Sequence, residues 1–221
     1  MDIFQIIVDY QEAFLNGLWV TVKLSSFIWG VGIFLGGLLG VIAAQAKATV
    51  GLFVSIGAFF LSGLPVLVLL FWLHYPLQAE LEIVIDPFVT AAFALSIVNI
   101  FGVAQVVRDA SIDFPQQYIL AARVTGLSSS QTLLNIKLPI LLRQLIPVLL
   151  NLQVVMFQST LFASLISVEE IFRVAQRINS MIYKPVEIYS ALGIVFLLVC
   201  LPLNGLALWL RWKYTRNISE N

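Results

Sequence analysis

Charge is what this chain of 221 residues has least of: 11% of its residues are Asp, Glu, Lys or Arg, against roughly a quarter in soluble domains. A water-soluble globule of this length could not cover its surface with so few charges. With 60% hydrophobic residues and a mean hydropathy of +0.98, the chain reads as an integral membrane protein. Its one cysteine, Cys200, lies in an apolar run, so no intrachain disulfide is possible and no redox compartment is implied. Its one histidine, His74, stands beside Tyr75 and Pro76 with no second metal ligand at hand, and reads as a water-facing loop residue. No metal site, catalytic group or nucleic-acid partner is expected. The sequence has no Gly-x4-Gly-Lys-Ser/Thr phosphate loop, so the chain is not expected to hydrolyse ATP itself.

What is present in excess is long apolar runs. Stretches such as Leu64 to Leu73 and Leu192 to Leu203 are apolar on every side, without the period-two alternation of a transmembrane β-barrel. Helices of about 20 residues crossing a hydrocarbon core of about 30 Å fit instead. Five spans are expected near Gly17–Ala44, Leu52–Leu73, Phe88–Val107, Ile140–Ile166 and Ile188–Leu210. They leave no room for a separate soluble domain, so residues 1–221 are expected to form one transmembrane domain. Pro65 should kink the second span and Pro147 the fourth. Asp2, Asp9 and Glu12 precede the first run, unlike the basic start of a signal peptide, and part of Phe4 to Phe14 is amphipathic.

The charges give the orientation. With the N-terminus outside, Lys47, Arg108, Arg123, Lys137, Arg143, Arg211, Lys213 and Arg216 are cytoplasmic, while Arg173, Arg177 and Lys184 are external. This distribution obeys the positive-inside rule and predicts an all-α protein with five transmembrane helices, N-out and C-in. Lys23 falls inside the first span close enough to its outer end to snorkel outward. No Asp or Glu occurs in any of the five spans, so the chain lacks the buried carboxylate that usually couples a carrier to an ion gradient. Gly32, Gly36 and Gly40 repeat at four-residue spacing, a helix-packing stripe. A dinucleotide fingerprint would need a βαβ context and different glycine spacing.

The longest cytoplasmic stretch, Arg108 to Pro139, is too polar to span and too patterned to be a loose loop. Pro115 suits the first turn of a helix, with Asp113 just ahead to favour its N-terminal dipole. That helix runs through Tyr118, Ala121 and Ala122 to a stop at Gly126. Ser128-Ser129-Ser130-Gln131 reads as a capping box opening a second short helix, and Pro139 sets the entry to the fourth span. The two short helices make a compact shelf, on which Ala121 and Ala122 would let a partner approach the backbone.

Leu120-Ala121-Ala122-x3-Gly126-x9-Ile136-x-Leu138-Pro139 resembles the EAA loop of ABC importer permeases, which carries the coupling helix that seats in the ATPase subunit. Leu120 stands where that family usually has Glu. The likeness extends to the polar amino-acid permeases (histidine-, glutamine- and arginine-type). It rests on Asn16-Gly17-Leu18-Trp19-Val20-Thr21-Val22-Lys23-Leu24, on Thr160 to Ile166, on Glu169-Glu170-Ile171 and on Ala175 to Ser180. It covers the chain from about Gly17 to Arg211. Ser62-Gly63-Leu64-Pro65 replaces the usual Arg-Gly-Thr-Pro element, Gln105 an acidic residue, and Phe157-Gln158-Ser159 a segment with a Lys-Asp pair.

The resemblance implies a permease subunit of an inner-membrane importer for a polar amino acid. Its partners would be a cytoplasmic ATPase dimer binding ATP and Mg, a second permease chain, an external solute-binding protein and membrane lipid. The departures favour a heterodimer of permeases. ATPase coupling would fall to Gln117, Leu120, Ala121, Ala122, Arg123, Gly126 and Pro139. Pathway candidates are Asn99, Gln105, Asn151, Gln153, Gln158, Ser159 and Thr160. Asn151 and Gln158 share one face of the fourth span, whereas Gln153 and Thr160 lie nearly opposite, so one pair lines a path while the other bonds a neighbouring helix. Outside, Glu169, Glu170, Arg173 and Arg177 belong to an amphipathic helix with an Ile171, Val174, Ala175, Ile178 stripe, a candidate gate and docking surface or a solvated surface helix. The alternatives are a secondary carrier or channel, and a non-transporting scaffold or sensor that kept the fold.

Overall fold

The computed structural model describes residues 2–45 and 48–215. Lys47 and Arg216 of the charge count lie outside the described residues. The described residues form helices and no strand. A short α1 (Ile3–Asp9) leads into α2 (Gln11–Gln45), then α3 (Ala48–Gly63), α4 (Val66–His74), α5 (Pro76–Glu80) and α6 (Pro87–Ile112). After the shelf helices α7 (Gln116–Val124) and α8 (Ser129–Thr132) come α9 (Leu138–Ser159), α10 (Ile171–Ile182) and α11 (Pro185–Thr215). Four helical stretches are long and apolar enough to cross a membrane, and a fifth span is made if a bent pair counts as one.

The bent pair is α3 with the stretch Val66–Glu80 that α4 and α5 make together, and the two meet at 93°. The expected kink at Pro65 is therefore a break. Proline forces the preceding Leu64 out of helical conformation and cannot donate an N–H itself, so α3 stops at Gly63 and α4 restarts at Val66. The opposite happens at Pro139. Helix runs without a gap from Ser129 to Ile166, through a π-helical turn at Leu133–Lys137 in which the Leu138 N–H reaches the Leu133 carbonyl. The wider turn precedes a proline that would clash with an ordinary α-helical turn before it. The fourth span therefore begins ten residues earlier than Pro139 suggests. Its outer end tightens into a 3-10 helix, Thr160–Ile166, closed by Ser167 in left-handed conformation.

α2 and α6 form the central contact. Gly32, Gly36 and Gly40 are buried against α6. A Cβ on Gly36 would stand 2.6 Å from the Ile100 carbonyl oxygen, and one on Gly40 would stand 2.6 Å from that of Ala104. Backbone thus meets backbone at Gly36 and Gly40, while Gly32 makes room for the Asn99 side chain, as the small-residue spacing predicts. Leu24, Ile28, Ala91, Ala94 and Leu95 continue this packing outward, joined by Leu70 of α4 and Ala163 and Ile166 of the 3-10 turn. Lys23 does reach outward: its ammonium lies 5.2 Å over the Phe88 ring at the start of α6.

His74 is not a free loop residue. It is half-buried, with Nδ1 3.2 Å from Gln78 Nε2 and 3.3 Å from Thr90 Oγ1, because Gln78 sits four residues on and folds back over the same turn. Cys200 is buried against Val154 and Phe157 of α9.

Replacing Gly36 by Ile must separate α2 from α6, an overpacking cost of about 1–3 kcal/mol. Gly37, whose Cβ would meet nothing within 4 Å, is the control. Thermal unfolding of the purified protein in detergent is expected to show a lower Tm for Gly36→Ile and little change for Gly37→Ile.

Candidate functional site

At the basic end, α7 and α8 build the shelf. α7 ends in a full Schellman motif: the Gly126 N–H donates to the Arg123 carbonyl and the Leu127 N–H to that of Ala122. Gly126 takes φ +76°, the left-handed conformation glycine adopts without penalty. The Ser128–Gln131 capping box follows with both reciprocal bonds formed. Tyr118 and Ile119 pack on Phe114, Leu141 and Leu145, and the Lys137 ammonium lies 5.6 Å over the Phe114 ring. Ala122 belongs to this inward face at 2% exposure. It therefore seats the shelf against the bundle instead of presenting a small side chain outward, a correction that follows from its being three and four residues from Ile119 and Tyr118. Gln117, Leu120, Ala121 and Arg123 face outward, with Val124 beside them at 89% exposure. Val124 was not singled out from the sequence, although it lies four residues after Leu120. Pro139 sits behind the shelf, at the start of α9.

Inside the bundle the pathway candidates separate. Asn99 and Gln153 turn to each other. The Asn99 amide donates to Gln153 Oε1 and to the Ile28 carbonyl, both at 2.9 Å, and Gln153 Nε2 donates back to Asn99 Oδ1 at 3.1 Å. This buried pair ties α2, α6 and α9 together, so neither amide faces open space. Ser159 and Thr160 are buried and return their hydroxyls to the Val155 and Phe157 carbonyls. Gln105 accepts from Ser55 at 3.3 Å and donates to both carboxylate oxygens of Asp109 at 2.9 and 2.8 Å. It lines a cavity of about 500 Å³ with Ser55, Phe59, Ser62, Phe101 and Met156. Asn151 and Gln158 are exposed on α9. Gln158 donates to Cys200 Sγ at 3.9 Å.

At the outer end α10 is docked, not merely solvated: Ile171, Val174, Ala175 and Ile178 are all buried, together with Ile6, Ile188 and Leu192. Its approach to α2 needs Gly17, whose Cβ would lie 2.8 Å from Val174 Cγ2, and is fixed by the Ile171 N–H donating to Thr21 Oγ1 at 3.1 Å. Glu170 is fully buried and caps α10, accepting from the Phe172 and Arg173 N–H groups at 3.0 and 2.8 Å. Burial raises its pKa to about 7, the two backbone bonds oppose this, and neighbouring Glu169 adds to it. Arg173 is half-exposed. Glu169 and Arg177 pair at 3.0 Å and line an outer cavity of about 530 Å³ with Asp9, Glu12 and Asn16.

This arrangement of spans, shelf and outer helix matches known proteins. Residues 36–216 match the family described as binding-protein-dependent transport system inner membrane component, and the chain belongs to that family. It is a multi-pass inner-membrane permease subunit, of a family whose permeases are not themselves ATPases. Among its relatives, the Salmonella typhimurium histidine/lysine/arginine/ornithine transport system permease protein HisQ is 26% identical, over 96% of this chain and 97% of that protein. The Rhizobium radiobacter octopine transport system permease protein OccM is also 26% identical, covering 93% and 88%. The Escherichia coli glutamine transport system permease protein GlnP is 28% identical over 64% and 65%. A crystal structure of an amino acid ABC transporter with histidines shares the fold at TM-score 0.84 and 23% identity, over 96% and 98% of the two chains. The MetNI methionine ABC transporter, in an inward-facing form, does so at TM-score 0.69 and 17% identity, over 93% and 98%.

Two outcomes test the site's internal order. A double-mutant cycle of Asn99→Ala and Gln153→Leu, read by thermal unfolding, is expected to give a coupling of about 0.6–1.7 kcal/mol, with each single variant destabilised because it strands the other amide. For Glu170, the unfolded chain loses its proton near 4.5 and the folded chain only near 7. Folded stability therefore falls as pH rises between those values, by on the order of 3 kcal/mol. Melting between pH 4.5 and 8 should show this slope in the wild type and a much smaller one in Glu170→Gln.

Proposed function

We propose that the chain is a translocating subunit of an ATP-driven importer for a polar amino acid, received from an external binding protein and moved through a pathway shared with a second, different permease chain. The observation that carries this reading is the shelf. Leu120, Ala121 and Val124 are presented outward at the basic end, beyond the apolar spans, on a helix stopped by a Schellman turn and braced by Phe114 and Lys137. Apolar side chains held rigidly in water mark a protein contact. An ATPase dimer that binds ATP and Mg supplies that contact and drives the spans mechanically through α7, with Gln117 and Arg123 at its edge, Gly126 as its stop and Pro139 leading on into α9.

The names of the relatives support an amino-acid cargo. The cavity beside Gln105, with two serine hydroxyls and uncharged walls, suits a neutral polar solute. Asn151 and Gln158 are the pathway candidates of α9 left off this cavity and off the amide brace, on the face it turns to α11 and the surface. At the outer mouth, Glu169 and Arg177 offer charges to a binding protein, and Glu170 and Arg173 hold the start of the gate helix α10. A heterodimer follows from Leu120 and Gln105, where a partner permease would supply the acidic groups this chain lacks.

Ala121→Trp tests the coupling surface, because Ala121 is exposed and its replacement disturbs no internal packing. Copurification of an ATPase subunit and ATP-dependent uptake into proteoliposomes are both expected to fall at least tenfold, with the Tm of the permease unchanged. ATPase retention and uptake at wild-type levels would sink the reading, and uptake driven by an ion gradient without ATP would replace it with a carrier.

A further inference from the structure

A cavity of about 340 Å³ between α9 and α11, lined by Arg143, Gln144, Pro147, Val148, Asn151, Arg211 and Tyr214, is used by none of the steps above. It lies at the basic end of the bundle, where positive charge marks the cytoplasmic leaflet. Two of its lining groups are guanidinium ions, contributed by different helices, and neither is among the ion pairs of the described residues. On that side Asp109 of α6 is already engaged by Gln105 and Arg108, Asp113 caps the end of α6, and Glu220, nine residues after Arg211, lies outside the described residues. Among the described residues the cavity is therefore a pocket of positive charge without an ion-pair partner, with amide and phenol groups beside it.

We propose that this cavity binds the headgroup phosphate of an anionic phospholipid of the cytoplasmic leaflet. Arginine pairs bidentately with phosphate oxygens, and basic pockets between membrane helices on this side suit such headgroups. Gln144, Asn151 and Tyr214 supply further polar contacts for the glycerol and phosphodiester oxygens. The surroundings select a lipid over a free anion. Further toward the outside, α9 exposes Val155 and α11 exposes Leu201 and Leu208 at 61% and 63%, an apolar flank along which acyl chains can lie. The lipid would then wedge between α9 and α11, the two helices that carry Gln158 and Cys200.

The test is lipid retention and binding by the permease complex purified in mild detergent. Wild-type complex is expected to retain phosphatidylglycerol through delipidating washes and to bind it in preference to phosphatidylcholine. Arg143→Gln/Arg211→Gln should lose about tenfold or more in affinity. Lys213→Gln, which removes a charge from the same helix end outside the cavity, should retain the lipid. Should the double variant fold poorly, Arg143→Lys/Arg211→Lys keeps the charge without the planar fork and is expected to bind with intermediate strength. Equal retention by wild type and the double variant would overturn the proposal. So would displacement of the lipid by millimolar inorganic phosphate, which would make this a free-anion site. A disulfide crosslink between two permease chains through Asn151→Cys would place a protein there instead. None of these readouts depends on transport, so the proposal fails or stands apart from the importer reading.

Discussion

Everything in this fold hangs from the close approach of α2 to α6. Where Gly36 and Gly40 bring the α2 backbone against carbonyl oxygens of α6, α2 has no side chain to slide or to compress. A lipid bilayer supplies no hydrophobic force to hold two helices together, so such van der Waals contact and interhelical hydrogen bonds must do it. Asn99 adds the second kind of contact at the same place. It stands opposite Gly32, donates across to the Ile28 carbonyl and exchanges hydrogen bonds with Gln153. A larger residue at Gly32 would leave no room for that amide. The glycine stripe and the buried amide pair are thus one device, and it locks α9 to the α2–α6 pair.

The two functional ends are built by extending elements of this locked unit. α2, about 52 Å long as a 35-residue helix, exceeds the bilayer core, and the surplus stands outside it. There Gly17 and Thr21 receive α10. At the other end α6 stops at Ile112 and the chain turns through Phe114 and Pro115 into the shelf, while α9 grows out of the same shelf through its π turn. A force applied to α7 therefore passes into α6 and α9 through short, packed connections. The break at Pro65 turns the chain sharply between α3 and α4, beside Ser62 and the Gln105 cavity.

The parts of this architecture set by local chemistry were legible in the sequence: the capping box, the stop at Gly126, the glycine stripe and the amphipathic stripe of α10. Each is fixed by residues within one or two turns. The parts decided by a distant neighbour were not. Proline alone does not say whether a helix bends, breaks or widens. Pro65, two residues after Gly63, breaks the helix, whereas Pro139 follows a π turn. Ala121 and Ala122 look equivalent along the chain, yet the position of Ile119 and Tyr118 on the bundle sends one outward and the other inward. Period alone separates the Asn151–Gln158 face from Gln153, but only the location of Asn99 on α6 shows which side is spent on bracing. Val124 and the paired arginines between α9 and α11 were missed because no motif marks an exposed valine or joins residues 68 positions apart.

That division of α9 has a mechanical consequence. One side of the helix is committed to α2 and α6 through Gln153, and Leu152 and Met156 beside it face the Gln105 cavity. The other side, through Arg143, Asn151 and Gln158, faces α11 and the open surface. Pro147 lies between the shelf and the amide brace, at the point where the missing N–H weakens the helix. A push delivered at the shelf can therefore bend the inner third of α9 while Gln153 holds its middle fixed. A bend there would change the spaces on the two sides of α9, the Gln105 cavity and the arginine cavity, in opposite senses. A group seated between Arg143 and Arg211 would fill one of those two spaces, and so would bear directly on which way the inner half of the helix leans.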